Sequence, residues 1–393
     1  MPAATQLTGP LSRVTVLDLS SVGPAARCTR LLADYGARVV KVGPVPSADA
    51  SPIEPLYFAY SGQRGMERVL IDLKDDDGRA AFLALASSAD VVVESFRPGV
   101  VDRLGIGYET VKARNRGIVY CSTSGYGQDG PRANCAGHDI NYLGVSGFLG
   151  MSTPGVDGAP PLPGATIADA AAGGMHAALA ITAALAGRAT TGVGTYLDVA
   201  VADGVLWLMS LPVDEHLALD NSPEPGHDIL SGRYACYATY QARDGKWLAV
   251  GAIEAKFFAN LCRLLGCEEL APRQMEDGAQ PTIRATLAAA FATRDRQEWI
   301  DLLGDADTCV SPILSVAEVG RDEQFAFRDA VTSAVHPTQG TFSQLAPLLA
   351  GMDRPEAPVT LPDGAATATE YLLKDAGIDA ATIEAWMNRK VVA

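Results

Sequence analysis

The chain has 393 residues, of which 48% are hydrophobic and 20% charged, a composition typical of a globular protein with two or three structural units. The formal net charge of −15 at pH 7 argues against nucleic acid or an anionic membrane surface as a partner. The seven cysteines are scattered and contain no CxxC pair, and the N-terminal residues do not resemble a signal peptide. We therefore expect a cytoplasmic protein with free thiols.

Apolar strands and helical patterns alternate through the first part of the chain. Residues 14–19 predict a buried strand, and residues 24–35 predict a helix opened by Pro24, since proline suits the first helical position. Such strands are typical of a parallel sheet covered on both faces. The pattern predicts an α/β fold with a large, Rossmann-like domain at residues 1–222. Its further elements are strands at 37–42, 69–73, 91–95 and 117–122 and helices at 77–87 and 108–114.

Residues 168–219 predict a helix, a strand and a second helix. The segment 168–186 is rich in Ala and Gly and is apolar, with Asp169 ahead of its most apolar part. We interpret it as a buried helix and not as a membrane span. A strand at 195–201 and a helix at 202–219 complete the large domain.

The pattern changes after the break at Pro223, Pro225 and Gly226. Two strand patterns separated by a turn, at 233–241 and 246–253, predict an antiparallel hairpin. Helices at 254–265 and 281–303 follow, so we predict a smaller α+β domain at 230–320. The remaining segment, 321–393, ends in helical patterns at 369–375 and 380–389.

A GxGxxG pattern at residues 125–130 follows a predicted strand. A dinucleotide site also needs a helix that opens at this point, so that its N-terminus meets the pyrophosphate. Pro131, Arg132 and Asn134 follow instead, and no helical apolar pattern begins there. We interpret the segment as a Gly-rich loop.

Three titratable residues stand near the starts of predicted elements. His138 follows the Gly-rich loop, and the residues alone favour a capping or core imidazole. Asp169 precedes an Ala/Gly run, where the ordinary role is an N-cap. Gly173 and Gly174 are nevertheless poor helix formers that would let another backbone or a ligand come close. Glu254 follows an apolar strand, and its position alone is that of an ordinary helix-start glutamate.

Four basic residues lie near predicted strand ends: Lys41, Lys74, Arg97 and Arg103. Ligands of open parallel sheets bind near the carboxyl ends of the strands. From the residues alone, a ligand-binding cluster and four solvated charges remain equal alternatives.

An ordered set of segments resembles the class III CoA-transferase (CaiB/BaiF) family from end to end. The resemblance implies an acyl-CoA thioester as substrate, with no metal and no cofactor apart from the CoA of the substrate. It also implies an interlocked homodimer, in which residues 321–393 return to the large domain and the site lies between the large domain of one chain and the small domain of its partner. The matching segments are LDLSSVGPAARCTRLLADYGARVVKV, IDLKDDDGR, ESFRPGVVDRLGIGYE, SGYGQDGP, TGVGTYLDVAVADG and the terminal helix ending KVV.

The same resemblance implies roles for the candidate residues. The family contains CoA-transferases, which use an aspartate nucleophile, and α-methylacyl-CoA racemases, which pair that aspartate with a histidine. Asp169 matches the aspartate, His138 matches the histidine of a GHDxNY segment, and Glu254 matches a GAIE glutamate that supports the histidine. The residues implied in CoA binding are Lys41, Leu73, Lys74, Arg97 and Arg103.

Two departures from the transferase pattern favour the racemase form. Formyl-CoA-type transferases resemble YxxxxQ where this chain has His138 and Leu143, and they carry a run of glycines where it has DILSGRYACY. The resemblance therefore implies inversion of the α-carbon of a 2-methylacyl-CoA through an enolate. The alternatives are CoA transfer through an aspartyl-CoA thioester on Asp169 and a non-catalytic acyl-CoA binder. Gly43 departs from the whole family, which usually has an acidic residue there.

Overall fold

The computed structural model describes residues 8–46, 64–155, 157–226, 228–353, 358–361 and 367–393. The chain separates into two compact units. The first contains Met1–Gly147, Pro163–Met209 and Phe327–Ala393, and the second contains Phe148–Leu162 and Ser210–Ala326.

A six-stranded parallel sheet forms the centre of the first unit, with the strand order β3-β2-β1-β4-β5-β6. The order reverses between β1 and β4, which is the arrangement of dinucleotide-binding doubly wound sheets. This confirms the predicted α/β fold with a parallel sheet. The strands are β1 (Thr15–Asp18), β2 (Arg38–Gly43), β3 (Met66–Leu70), β4 (Val91–Glu94), β5 (Val119–Ser124) and β6 (Tyr196–Ala200).

Helices cover both faces of this sheet. Successive residues of each strand point to opposite sides, so they contribute to different hydrophobic clusters. Leu17 and Val92 belong to one hydrophobic cluster, whereas Val16 and Val91 belong to the other. The helices of this region are α1 (Gly23–Asp34), α2 (Asp76–Ser88), α3 (Val100–Arg103), α4 (Tyr108–Lys112), α5 (Asp139–Val145), a π-helix (Ala168–Met175), α7 (His176–Thr191) and α8 (Val201–Leu208).

The second unit is built around an antiparallel sheet of order β7-β8-β9. The β7–β8 pair confirms the predicted hairpin. Its core includes Phe258, Leu287 and Phe291, all fully buried. Its elements are α6 (Phe148–Met151), α9 (Ser210–Leu219), β7 (Tyr237–Gln241), β8 (Trp247–Gly251), α10 (Ala255–Leu265), α11 (Gln280–Phe291), α12 (Arg296–Leu303), β9 (Val310–Pro312), α13 (Val316–Val319) and α14 (Glu323–Phe327), with 3₁₀ turns at Ile229–Ser231, Glu268–Arg273 and Asp277–Ala279.

The C-terminal part of the first unit contains a second, three-stranded sheet that the sequence patterns did not predict. Its order is β11-β10-β12, formed by β10 (Val331–His336), β11 (Gly340–Leu345) and β12 (Val359–Thr360). Two helices follow, α15 (Thr369–Asp375) and α16 (Ala380–Asn388), close to the predicted bounds. Leu373 and Trp386 of these helices join the same hydrophobic cluster as Leu17 and Val92.

Two predicted helices are each divided in the structure. The expected helix at 202–219 is α8 and α9, and the expected helix at 281–303 is α11 and α12. The first division coincides with a boundary between the two units, so residues 148–162 and 210–222 do not group with the rest of the predicted domain 1–222. The physical difference is burial: α8 packs against the π-helix, whereas none of the ten residues described in α9 is buried.

The π-helix and α7 form one continuous apolar stretch, Ala168–Thr191, that is long and apolar enough to cross a membrane by length and composition. The interpretation of this stretch as a buried helix is correct for one face only. Ala177 and Ile181 are fully buried, whereas Met175 is 56% and Leu179 68% exposed. One side of the helix packs on the sheet, and the other side presents apolar residues that no described residue covers.

Candidate active site

The Gly-rich segment after β5 is a loop, as predicted. No helix begins at residues 131–137, all of which are described, and α5 starts only at Asp139. Gly127 and Gly130 have positive φ angles of 89° and 86°, a conformation that favours glycine. The loop packs through Tyr142, whose hydroxyl donates to the Gly137 carbonyl at 2.6 Å. Because no helix begins at residues 131–137, the segment lacks the helix N-terminus that a pyrophosphate site at the GxGxxG pattern would need.

His138 is the N-cap residue of α5 and is exposed. Its backbone N–H donates to Oδ1 of Asn141 at 3.0 Å, and its carbonyl accepts from the N–H of the same residue at 2.8 Å. The backbone of His138 therefore caps the helix while the imidazole is accessible to solvent. The alternative of a core imidazole is wrong.

Asp169 is the second residue of the π-helix and is half-buried. Helices of this type are rare and often occur at functional sites. Gly173 and Gly174 allow it to lie against α1: a Cβ added at Gly173 would be 2.5 Å from Cβ of Pro24, and one added at Gly174 would be 2.8 Å from Cβ of Arg27. Ile167, which precedes the helix, already has helical backbone angles. Asp169 is therefore inside the helix and does not hold the N-cap position.

The surroundings of Asp169 raise the pKa of its carboxyl group above the ordinary value. Burial is the largest cause, and the negative charge of Asp139 adds to it, while Arg27 and His138 act in the opposite direction. His138 directly precedes Asp139, whose carboxylate accepts the Asp169 backbone N–H, so His138 and Asp169 stand at the starts of two helices that are in contact.

Two neighbours of Asp169 had no role in the sequence analysis. Oδ1 of Asp139 accepts the backbone N–H of Asp169 at 2.8 Å, and Nη2 of Arg27 donates to Oγ1 of Thr166 at 2.7 Å. Asp139 lies inside the GHDxNY segment, so its position beside His138 was visible in the sequence. The contact with Asp169, 30 residues away, was not.

The basic candidates lie on β2 and in the segments that follow β3 and β4. Arg97, Arg103 and Lys74 are exposed. Lys41 differs, because its Nζ lies 2.8 Å from Oδ2 of the fully buried Asp18.

The two remaining positions noted in the sequence also lie at this edge of the sheet. Leu73 is partly buried against the hydrophobic cluster that contains Leu17. At Gly43, an added Cβ would lie 3.7 Å from the Nε and Nη2 atoms of Arg68. An acidic side chain at this position would therefore stand beside a guanidinium group.

Glu254 belongs to the second unit, where it is the exposed N-cap residue of α10. Its carbonyl accepts from the N–H groups of Phe257 and Phe258 at 3.0 and 3.1 Å, and its side chain makes no capping hydrogen bond. The segment before it is held by Nε2 of the buried Gln274, which donates to the carbonyls of Ala252 and Ile253. The carboxylate of Glu254 is thus presented to solvent on a fixed backbone.

Within the described ranges, no group of three or more His, Cys, Asp or Glu side chains is arranged to hold a metal ion. The chemistry that the first unit offers is that of a half-buried carboxyl group next to an accessible imidazole. Such a pair can transfer protons to and from a bound carbon acid. The same carboxyl group, in its ionised form, can act as a nucleophile on a thioester.

Comparison with known sequences assigns the chain to a family. The sequence pattern described as CoA-transferase family III matches residues 11–363. The alpha-methylacyl-CoA racemase of Homo sapiens is 37% identical over 314 residues, with 79% of each chain covered. The acetyl-CoA:oxalate CoA-transferase of Acetobacter aceti is 32% identical over 389 residues, covering 94% of this chain and 97% of that protein.

Comparison with solved structures gives the same result. A CAIB/BAIF family protein from Brucella suis superposes with a TM-score of 0.72 and 29% sequence identity, covering 88% of this chain and 94% of that chain. The sequence match and the structural match therefore agree over most of the polypeptide. The chain belongs to CoA-transferase family III.

Proposed function

We propose that the protein is an acyl-CoA racemase that inverts the α-carbon of 2-methylacyl-CoA thioesters by proton transfer through an enolate. The observation that carries the proposal is the pairing of His138 with Asp169, whose pKa is raised by burial and by the charge of Asp139. A carboxyl group with a raised pKa remains protonated up to a pH that is nearer to neutral. It can therefore act as an acid in one direction and, once ionised, as a base in the other.

The reaction requires a base on one face of the α-carbon and an acid on the other. A thioester acidifies its α-C–H bond, because the enolate spreads its charge onto the carbonyl oxygen. In one direction His138 removes the α-proton and the protonated Asp169 delivers a proton to the opposite face; in the other direction the two roles reverse. General acid–base catalysis of this kind contributes about 100- to 10,000-fold.

Stabilisation of the enolate oxygen supplies a further part of the rate in such reactions. The backbone N–H of Asp169 already donates to Asp139. We therefore expect the oxygen to accept from other backbone N–H groups of the same region.

We propose that Arg97 and Arg103 bind the phosphates of CoA, with Lys74 and Leu73 beside them at the carboxyl edge of the sheet. Exposed guanidinium groups suit this role because they form bidentate hydrogen bonds with phosphate. Lys41 should contribute less, since its ammonium group is already paired with Asp18.

We also propose a cytoplasmic homodimer in which Glu254 of one chain accepts a hydrogen bond from His138 of the other. Exposed apolar side chains support the dimer, since exposed apolar surface often marks an interaction site. They include Leu179 of α7, Trp207 of α8, and Leu211, Leu217 and Leu219 of α9, each more than half exposed.

Incubation with a single enantiomer of a 2-methylacyl-CoA in deuterium oxide, with no second carboxylic acid, tests the proposal. The expected result is deuterium at the α-carbon together with loss of optical purity, measured by mass spectrometry and chiral chromatography of the released acid. His138→Ala and Asp169→Ala are the matched inactive controls.

The rival activity gives a different outcome in the same experiment. A CoA-transferase would leave the α-proton in place and would move CoA to an added acid such as oxalate. The oxalate CoA-transferase of Acetobacter aceti, 32% identical to this chain, makes oxalate the acceptor to test first. Transfer to oxalate without α-deuteration would replace the racemase proposal with this alternative.

A further inference from the structure

Residues 391–393 pair with residues 70–72, where the chain leaves β3. Ile71 and Val392 form an antiparallel bridge, and both side chains are buried in the same hydrophobic cluster. Two backbone hydrogen bonds flank the bridge, from the Asp72 N–H to the Val391 carbonyl at 2.8 Å and from the Ala393 N–H to the Leu70 carbonyl at 3.1 Å. The end of β3 is therefore fixed by a segment more than 300 residues later in the chain.

A local motif at the end of α16 directs the chain back to β3. Lys390 has a positive φ angle of 58°, its N–H donates to the Met387 carbonyl at 3.0 Å, and the Val391 N–H donates to the Trp386 carbonyl at 2.9 Å. These two hydrogen bonds form a Schellman motif, which ends a helix. Val391 and Trp386 belong to one hydrophobic cluster, in keeping with the apolar contact that often accompanies this motif.

The side chain of Arg389 makes a second connection to the chain after β3. Its Nη1 donates to Oδ2 of Asp77 at 2.5 Å, and its Nη2 donates to Oδ2 of Asp75 at 3.3 Å. Asp75 is the N-cap residue of α2 and accepts the N–H of Asp77 at 2.8 Å. Arg389 therefore holds the first turn of α2, directly after Leu73 and Lys74.

Leu73 and Lys74 lie in a tight turn between these two connections. Oδ1 of Asp72 accepts the N–H of Lys74 at 3.0 Å, and the carbonyl of Asp72 accepts the N–H of Asp75 at 3.2 Å. The first turn of α2 packs on the same residue, because a Cβ added at Gly78 would lie 1.9 Å from the Asp72 carbonyl oxygen. The position of this turn therefore depends on how its two ends are held.

We propose that Arg389 and residues 391–393 form a clamp that positions Leu73 and Lys74 for CoA. This deepens the proposed function and rests on it for the identity of the ligand. The clamp touches neither CoA nor the reacting atoms in this scheme and acts through the turn. A turn that is already ordered loses less conformational entropy when the ligand binds, so the effect of the clamp should appear in CoA affinity.

Two substitutions test the side-chain and backbone connections separately. Arg389→Ala removes the ion pairs with α2. Ala393→Pro removes one of the N–H groups that donate to the end of β3 without changing the charge, and proline favours the extended backbone that Val392 has in its bridge. Arg243→Ala is the matched control, because Arg243 is about as exposed as Arg389 and also pairs with two carboxylates, in the second unit.

The first measurements are isothermal titration with CoA and the kinetics of α-deuteration. Arg389→Ala and Ala393→Pro should each weaken CoA binding and raise KM about fivefold, since ordering mobile groups on binding costs this much. Their kcat should match that of the wild-type protein, and Arg243→Ala should match it in all three quantities. Exposed ion pairs contribute little to stability, so the thermal midpoint of Arg389→Ala should stay close to the wild-type value.

A double substitution tests whether the clamp acts through Lys74. Arg389→Ala should weaken CoA binding clearly less in the Lys74→Ala background than in the wild-type protein, because residues that act through one contact are not additive. Wild-type CoA affinity in Lys74→Ala would remove this turn from the CoA site and contradict the proposal. Absence of α-deuteration by the wild-type protein would instead contradict only the proposed reaction, since CoA binding is measured without turnover.

Hydrogen exchange followed by mass spectrometry reports on the turn without any ligand. The amides of Asp72 and Lys74 should exchange faster in Arg389→Ala and Ala393→Pro than in Arg243→Ala or the wild-type protein. Wild-type CoA affinity in both clamp variants would overturn the proposal. A fall in kcat as large as the fall in CoA affinity would also overturn it, because the substitutions would then act on the fold as a whole.

Discussion

At the scale of single residues, His138 and Asp169 are proposed to act on the α-carbon and not on the nucleotide. His138→Ala and Asp169→Ala should therefore each lower α-deuteration by at least about 100-fold, the usual contribution of a general acid or base. CoA binding, measured by isothermal titration, should remain within a few-fold of the wild-type protein. A large loss of CoA affinity in either variant would instead assign these residues to nucleotide binding or to the fold.

Arg97 and Arg103 should show the reverse behaviour. Both are exposed in the segment after β4, where CoA phosphates are proposed to bind. Arg97→Ala and Arg103→Ala should each weaken CoA binding about tenfold, while turnover at saturating substrate remains. CoA binding by the wild-type protein should weaken as the salt concentration rises, because salt screens exposed charges. Arg273→Ala, at an exposed arginine of the second unit paired with Glu276, serves as the control. Unchanged affinity in both test variants would contradict the proposed CoA site.

Glu94 gives a prediction about stability. It is 1% exposed, and burial raises its pKa to about 7 despite hydrogen bonds from Ser122 and from the backbone N–H of Phe96. A group whose pKa is raised on folding stabilises the protein fully below its unfolded pKa and less as pH rises through its folded pKa. Between pH 4.5 and 7 this one carboxyl group should lower the free energy of unfolding by on the order of 3 kcal/mol.

Glu94→Gln keeps the shape and the acceptor while removing this titration. Its thermal midpoint should rise relative to the wild-type protein more at pH 8 than at pH 5, measured by circular dichroism. Glu109→Gln, at an exposed glutamate of α4, should show no such pH dependence. A difference between Glu94→Gln and wild type that does not vary with pH would argue against the buried, titrating carboxyl group.

At the scale of elements, the close packing of the π-helix on α1 can be tested through its glycines. A Cβ at Gly173 would lie 2.5 Å from Cβ of Pro24 and 3.0 Å from Cγ2 of Val201, so α1, α8 or the π-helix must shift. Gly173→Ala should therefore cost about 1–3 kcal/mol of stability and lower kcat. Gly187→Ala, on α7, has no described atom within 4 Å of the new Cβ and should be neutral or stabilising. Equal effects of the two substitutions on stability and kcat would contradict this packing.

At the scale of the whole molecule, α7, α8 and α9 present the exposed apolar residues that the proposed dimer would cover. Trp207 is 75% and Leu217 74% exposed. An interlocked dimer would cover them and bury far more than the roughly 1,600 Å² of a standard interface. Light scattering during a denaturant titration should then show dissociation only together with unfolding. A folded monomer populated before unfolding would contradict both the interlocked dimer and the proposed role of Glu254 across it.

Local patterns in the sequence were sufficient to predict most strands and helices of the first unit and the hairpin of the second. Apolar runs such as residues 91–93 and the proline that opens α1 act through neighbouring residues, so their effect can be predicted without the fold. Strand β12 of the C-terminal sheet was missed because it pairs with β10 across about 25 residues and a two-residue strand has no pattern of its own, whereas the β10–β11 hairpin is local and was overlooked.

For the candidate site, the sequence by itself left each residue with an ordinary alternative, and the family resemblance supplied the roles. Tertiary structure alone decided that Asp169 lies inside a π-helix, that Asp139 accepts its N–H, and that Lys41 is paired with the buried Asp18. The physical reason is common to all three. Periodicity reports which side of an element is buried, whereas these features depend on contacts between residues that are far apart in the chain and meet only when the sheet and its helices have packed.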